Sequence, residues 1–88
     1  MKVVIWVWSS TRKGKGVYKS FDLPSVPRAG DAVDLPGEVY GGAFFDQGPL
    51  WFFDQPEPHA EARLDLQEPE GEWDNFVDAA IEQGWSAT

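Results

Sequence analysis

The chain has 88 residues, no cysteine and a formal net charge of −8 at pH 7. A chain of this length has room for one hydrophobic core, so residues 1–88 are interpreted as a single domain. The lack of cysteine excludes a disulfide framework and a thiolate metal site, and an aromatic content of 15% excludes a disordered chain.

Charge is distributed unevenly along the chain. Residues 1–19 contain five lysines and arginines and no acid, whereas residues 20–88 contain fifteen acids and two arginines. An acidic body repels phosphate backbones, so we expect no direct binding to nucleic acid. It attracts basic protein surfaces and accelerates encounters with them.

The first segment, Lys2–Trp8, is β-branched and aromatic almost throughout. Both of its alternating faces are apolar, which predicts a central strand covered on both sides. Residues 9–16 form a polar loop, and Val17–Leu23 returns as a second strand. The apolar stretch is too short for the core of a signal peptide or for a membrane span. We therefore expect a cytoplasmic protein with no membrane contact.

A proline-containing turn precedes a short strand predicted at Ala32–Leu35. Its sequence at Pro27–Asp31, PRAGD, places Gly30 where a tight turn needs a positive φ. The pattern PRAGDAVDL resembles a turn in small, largely uncharacterised β-rich proteins of bacterial and phage genomes. This resemblance implies a compact, strongly bent sheet and assigns a function to no residue.

An aromatic repeat follows, in which the motif Phe-Phe-Asp-Gln occurs at Phe44–Gln47 and again at Phe52–Gln55. Aromatic runs favour half-buried strands, and Gly48-Pro49 between them is a turn signal. The pattern predicts a hairpin of strands Val39–Gln47 and Leu50–Gln55 in the middle of the sheet. Its aromatic side chains are expected to supply much of the core.

The last third combines one strand with one helix. His59–Gln67 alternates between small or apolar residues and polar ones, which predicts a strand with one wet face. The spacing of apolar residues then becomes helical, which predicts a helix over residues 71–83 with a left-handed cap at Gly84. Trp73, Phe76, Val77, Ala80 and Ile81 form the apolar stripe of this helix. The predicted fold is α+β: a highly twisted antiparallel sheet of five or six strands with the C-terminal helix packed across it.

Catalytic motifs are sparse. The chain has one histidine, His59, which we interpret as an ordinary residue at a strand entry. Asp46 and Asp54 occupy equivalent positions after the two Phe-Phe pairs, and two carboxylates near aromatic rings suit glycoside hydrolysis. We interpret them instead as strand-end residues that accept turn N–H groups. The sequence therefore predicts no catalytic residue, no metal site and no cofactor.

The predicted helix carries a row of acids. Glu70, Asp74, Asp78 and Glu82 are spaced four apart, which places neighbours about 6 Å apart along the axis. The row has two interpretations: a solubilising face, or a surface that docks on a basic partner with Glu61 and Asp65 in support.

The leading functional hypothesis is a non-enzymatic, acidic protein-binding module. Its narrower version is an inhibitor that mimics nucleic acid and occupies the binding groove of a basic partner. In size and charge the chain is similar to anti-CRISPR proteins encoded by phages and mobile elements.

Two further functions remain open. A carbohydrate- or small-ligand-binding module would use Trp51, Phe52 and Phe44, because exposed aromatic rings stack on ligands. A self-assembling structural subunit would pair exposed strand edges between copies. The sequence leaves the oligomeric state open.

Overall fold

The computed structural model describes residues 1–37, 43–46, 48–67 and 71–88. Five strands form the main sheet, in the order β5-β6-β1-β2-β7, and β3 pairs with β4 in a second, two-stranded sheet. The predicted α+β class, the five-stranded sheet and the C-terminal helix are confirmed. The elements are β1 (Lys2–Ser9), β2 (Gly16–Asp22), β3 (Ala32–Val33), β4 (Ala43–Phe44), β5 (Leu50–Phe52), β6 (His59–Leu66), α1 (Trp73–Glu82) and β7 (Ser86–Ala87).

The β1 strand is the centre of the main sheet. It pairs antiparallel with β2, where Val7 lies opposite Val17, and in parallel with β6, where Val7 lies beside Leu64. The main sheet is therefore mixed rather than wholly antiparallel. Because β2 ends and β6 begins beside the first residues of β1, the long segment between them returns the chain to the same end of the sheet. The alternating pattern of β6 predicts a strand but carries no information about its direction.

The expected aromatic hairpin does not form, and that prediction is wrong. Residues 39–42 and 47, part of its first strand, lie outside the described residues. In the described part, β4 pairs with β3, whereas β5 pairs with β6 at an edge of the main sheet. Pro49 and Pro56 bracket β5 and limit it to three residues, which suits an edge strand better than a central one. Of the four aromatic side chains in the repeat, only that of Phe45 is buried.

Hydrogen bonds from the turn between β2 and β3 position the segment that contains β4. Gly30 adopts a φ of 92°, as expected, and the Asp31 side chain accepts a hydrogen bond from the Arg28 N–H at 2.9 Å. The Gly30 N–H then donates to the Phe45 carbonyl at 2.7 Å, and the Phe45 N–H donates to the Asp31 carbonyl at 3.0 Å. The backbone of the turn therefore holds the first aromatic segment beside β3 and not beside β5.

The hydrophobic core lies on one face of the main sheet. Alternate residues of β1, β2 and β6 meet there, and α1 covers them together with Leu35 and Phe45 from the region of the second sheet. The alternation predicted for β6 is confirmed, because Ala60, Ala62 and Leu64 are all buried. The largest fully buried side chains are Phe76, Leu64, Val3, Val7 and Val17.

The predicted helix and its C-terminal cap are confirmed. Gly84 has a φ of 90°, and its N–H donates to the Ile81 carbonyl while the Trp85 N–H donates to the Ala80 carbonyl, both at 3.0 Å. This pair of bonds is the Schellman arrangement. It turns Trp85 back into the core, where its ring meets that of Phe21 edge-on at 5.9 Å. Ile81, expected on the buried stripe, is instead exposed.

The other face of the main sheet has a different character. It carries Trp6 and Trp8 of β1 and Tyr18 of β2, all half-buried. Within the described ranges, neither α1 nor the second sheet contributes core residues on this side. Val4 on this face is buried, whereas Trp6 and Trp8 are only half-buried. The expectation that β1 is covered on both sides is therefore confirmed at Val4 and wrong at Trp6 and Trp8. One ten-residue helix and a two-stranded sheet have apolar surface enough for one face only.

Candidate binding surfaces

The edge strand β5 presents the main exposed apolar patch. Leu50, Trp51 and Phe53 are 47%, 48% and 71% exposed. Trp51 and Phe53 lie two residues apart and therefore on one side of the extended chain, and their rings stack at 6.0 Å with an angle of 4° between the planes. Leu50 points to the opposite side, in register with Glu61. We call Trp51 and Phe53 the edge patch. Contiguous exposed apolar side chains of this kind mark interaction sites.

The predicted ligand-binding set of Trp51, Phe52 and Phe44 is not brought together on one surface. Phe52 points to the side opposite Trp51, and its ring stacks on that of His59 at 5.1 Å. Phe44 is exposed but belongs to β4 in the second sheet. The ring that accompanies Trp51 is Phe53, which sequence reasoning missed. The spacing indicates Phe53, because residues two positions apart in an extended chain lie on the same side.

The acidic row of the helix is partly neutralised. Asp74 accepts two hydrogen bonds from the Arg12 guanidinium, at 3.0 and 3.3 Å, while Asp78 and Glu82 are exposed and have no ion pair within the described ranges. Glu70 lies outside the described residues. The cationic N-terminal part of the chain therefore lies against the start of the helix and reduces its negative field.

Glu61 and Asp65 lie on the opposite side of the main sheet from the helix. Glu61 is half-buried and accepts from Arg63, with 3.4 Å between Nη2 and Oε1, and its other oxygen is 3.2 Å from His59 Nε2. Asp65 is exposed, and its backbone N–H donates to Asp46 at 3.1 Å. The structure therefore separates the two supporting acids from Asp74, Asp78 and Glu82.

An aromatic strip crosses the uncovered face of the main sheet. The Trp6 ring stacks on that of Trp8 at 4.8 Å, with 3° between the planes, and contacts the Tyr18 ring at 4.5 Å. Trp8 lies over Gly16, where a Cβ atom would come within 2.7 Å of its ring. We call Tyr18, Trp6 and Trp8 the aromatic strip. From the sequence, an exposed Trp8 is a possible stacking residue, but Trp6 and Tyr18 are not identified as part of a surface, because Trp6 satisfies the pattern of a doubly buried strand.

Charged groups around the aromatic strip are mostly paired. Arg63 lies beside Trp6 and Asp65 beside Trp8 in the parallel register. Lys2 binds Glu57 at 3.1 Å, and the N-terminal ammonium binds Asp22 at 2.9 Å. The hydrogen bond from this ammonium is the main cause that lowers the pKa of Asp22, and the positive charge of the ammonium is the second.

A shallow depression of about 530 Å³ adjoins the start of β1 and is lined by Lys2, Ser20, Phe21, Asp22 and Glu57. Ser20 lies opposite Val4, on the same face as the aromatic strip. The uncovered face therefore joins a row of rings to a concave polar region.

The residues considered for catalysis are distributed as follows. Asp46 and Asp54 are exposed. Asp46 accepts a hydrogen bond from the Asp65 N–H, which belongs to β6 and not to a turn as expected. Within the described ranges, no group of three or more histidines and acids is placed to hold a metal ion. Among the described residues there is also no helix with the length and apolar character needed to cross a membrane.

Comparison of the chain with protein-family models, with curated proteins and with solved structures gave no match.

Proposed function

We propose that the protein is a non-enzymatic, acidic binding module for a basic protein partner. The observation that carries this function is the edge patch, the stacked and exposed rings of Trp51 and Phe53, in a chain of net charge −8. Exposed aromatic residues are the usual anchors of protein interfaces. A cytoplasmic location is part of the same proposal, and the cysteine-free composition supports it.

Acids and aromatic residues have separate roles in this function. The edge patch supplies the apolar area that is desolvated in the complex. Burial of this area slows dissociation and therefore sets most of the lifetime of the complex. Exposed carboxylates such as Asp54, Asp78 and Glu82 increase the rate of encounter with a basic surface. Asp74 contributes less, because Arg12 already holds its carboxylate.

The narrower version of this function is inhibition by mimicry of nucleic acid. Asp78 and Glu82 are one helical turn apart, about 6 Å along the axis, and both are exposed. They lie on the helix, which packs near β7, whereas the edge patch lies at the other edge of the main sheet. Trp51 pairs with Ala60 and therefore faces the same side of the main sheet as the helix, but at the far edge. Mimicry needs only the helical carboxylates, so it predicts binding through the helix without the edge patch.

The test is affinity capture from the native host followed by measurement on the purified partner. Three matched columns carry the wild-type protein, the double variant Trp51→Ala with Phe53→Ala, and the double variant Asp78→Lys with Glu82→Lys. We expect a basic protein that the wild type retains, that the aromatic variant loses, and that the lysine variant binds with a reduced association rate.

Two outcomes of this experiment would contradict the role of the edge patch. A partner retained equally by the wild type and the aromatic variant contradicts the role of the edge patch. If only the lysine variant loses the partner, and oligonucleotide competes for it, mimicry replaces the edge patch as the mechanism.

Self-assembly predicts a different observation. Two copies of net charge −8 repel one another, so we expect light scattering to give a monomer mass across a concentration series at low salt. A dimer that disappears in the Trp51→Ala, Phe53→Ala variant would assign the edge patch to a second copy and overturn the proposed function.

A further inference from the structure

We propose that the uncovered face of the main sheet is a binding site for a neutral carbohydrate chain, independent of the edge patch. The site consists of the aromatic strip and the adjoining polar depression. This assignment depends on three observations: the rings are held in place, the charges around them cancel, and the depression continues the row of rings.

The rings of the aromatic strip are held before any ligand arrives. Trp6 is fixed between Trp8 at 4.8 Å and Tyr18 at 4.5 Å, and Trp8 lies against the backbone of Gly16. Because Trp6 lies between two rings, a ligand can stack only on the end rings of the strip, Trp8 and Tyr18. Such a ligand immobilises few additional side chains, which reduces the entropy lost on binding. Pyranose rings suit such a surface, because their C–H faces are apolar while their hydroxyls project outward.

The charge on this face identifies the class of ligand. Among the described residues the cationic groups Lys2, Arg63 and the N-terminal ammonium each have an acidic partner, Glu57, Glu61 and Asp22 respectively. Among the described residues of this face, Asp65 is the acid that has no cationic partner. Within the same residues a phosphate would find no cation without an acidic partner, and a strongly basic segment would find one free carboxylate. A purely apolar partner would bury the ion pairs, which is costly.

The polar groups are arranged to bind hydroxyls. Ser20 is exposed and can both donate and accept, while Asp65 and the Lys2–Glu57 pair offer further acceptors and donors. From Lys2 to Trp8, β1 extends about 20 Å, and the depression of about 530 Å³ lies at its Lys2 end. This length suits an extended oligosaccharide rather than a single sugar ring.

The experiment uses the five indole N–H signals of the protein, one for each tryptophan, assigned by single Trp→Phe substitutions. The probes are cellohexaose, maltohexaose and xylohexaose, with glucose, pentalysine and a thymidine oligonucleotide as comparisons. We expect at least one neutral hexasaccharide to shift the Trp6 and Trp8 signals saturably, with Trp51, Trp73 and Trp85 unmoved.

Three results would overturn the assignment. The first is that none of the three hexasaccharides moves the Trp6 and Trp8 signals at millimolar concentration. The second is that sugar moves the Trp51 signal alone, which would transfer binding to the edge patch. The third is that pentalysine or the oligonucleotide moves the strip signals while the sugars do not.

A pair of variants separates stacking from structure. Trp8→Leu keeps an apolar cover over Gly16 but removes the ring, and we expect it to weaken sugar binding about tenfold, the scale of one stacked ring. Trp8→Tyr keeps a ring and is expected to bind within threefold of the wild type. Equal sugar affinity in all three proteins would contradict stacking.

The Trp51→Leu control is expected to leave sugar affinity unchanged. Conversely, Trp8→Leu is expected to leave capture of the basic partner unchanged, so the failure of one function is distinguishable from the failure of the other. If Trp8→Leu does not fold, the indole shifts of the wild-type protein decide the question.

Discussion

Replacement of Gly16 by alanine tests the packing of the aromatic strip directly. A Cβ atom at this position would lie 2.7 Å from Trp8 Cε3, 3.0 Å from Trp8 Cζ3 and 3.0 Å from the Val7 carbonyl oxygen. The indole cannot move aside without leaving Trp6, on which it stacks at 4.8 Å. We therefore expect Gly16→Ala to destabilise the protein although it adds only a methyl group.

Two opposing effects set the size of this loss. Overpacking of a fitted site costs about 1–3 kcal/mol, whereas alanine is favoured over glycine within a strand by about 0.5–1 kcal/mol. The expected net decrease in the free energy of unfolding is about 0.5–2 kcal/mol. In a chain of this size each kcal/mol shifts Tm by roughly 4–8 °C, so the change is measurable by thermal and urea unfolding.

A double-mutant cycle identifies the cause of the loss. In a Trp8→Ala background the ring contacts are gone, and of the three close neighbours of the added Cβ atom only the Val7 carbonyl oxygen remains. We expect the cost of the alanine to fall to near zero, with a coupling energy of about 1 kcal/mol, above the error of the method. Gly48→Ala is the matched control, because a Cβ atom there has no neighbour within 4 Å. An equal cost of Gly16→Ala in both backgrounds would refute the described position of Trp8.

Three further predictions concern the helix cap, the core and the charge at Asp22. Gly84→Ala forces a side chain into a φ of 90°, so the free energy of unfolding should fall by about 1–2 kcal/mol in urea titrations, and an unchanged value would contradict the Schellman cap. Phe76→Ala should lower the free energy of unfolding by about 3–5 kcal/mol, because the ring is fully buried. Phe53→Ala, in the edge patch, should change it by no more than about 0.5 kcal/mol in the same assay. Similar losses for the two variants would contradict the described burial. NMR titration should place the pKa of Asp22 below the ordinary value of 3.8. The stabilisation from its ion pair with the N-terminal ammonium should be present at higher pH and lost as pH falls through the folded-state pKa. Acetylation of the N-terminal amine should restore the ordinary pKa.

Chain connectivity places the candidate binding surfaces in different parts of the molecule. The edge patch lies on β5, the helical acids lie near β7, and the aromatic strip lies on β1 and β2 between these edges. The sheet separates the helix from the strip. A small domain of this architecture can therefore engage a protein at one edge and a second ligand on its uncovered face without steric conflict.

The candidate site was only partly predictable because side-chain chemistry and side-chain placement are different kinds of information. The sequence indicates that acids recur every four residues on the helix and that aromatic residues cluster around Trp51. It contains no local signal that Arg12, sixty-two positions away, pairs with Asp74. It also contains no signal that Glu61 is tied to His59 and Arg63. Such long-range pairs depend on which strands and loops become neighbours.

Local periodicity by itself determined β1, β2, β6 and α1, because the apolar spacing of each segment matches one regular structure and the Gly84 cap needs only nearby residues. Tertiary structure decided that β6 runs parallel to β1, that β5 is an edge strand, and that Trp6 and Trp8 face away from the helix. The physical reason is that a strand pattern specifies two faces but neither a neighbour nor a direction. Those are chosen by turn hydrogen bonds, such as those of Gly30 and Asp31 to Phe45, and by the limited amount of helix available to cover the sheet.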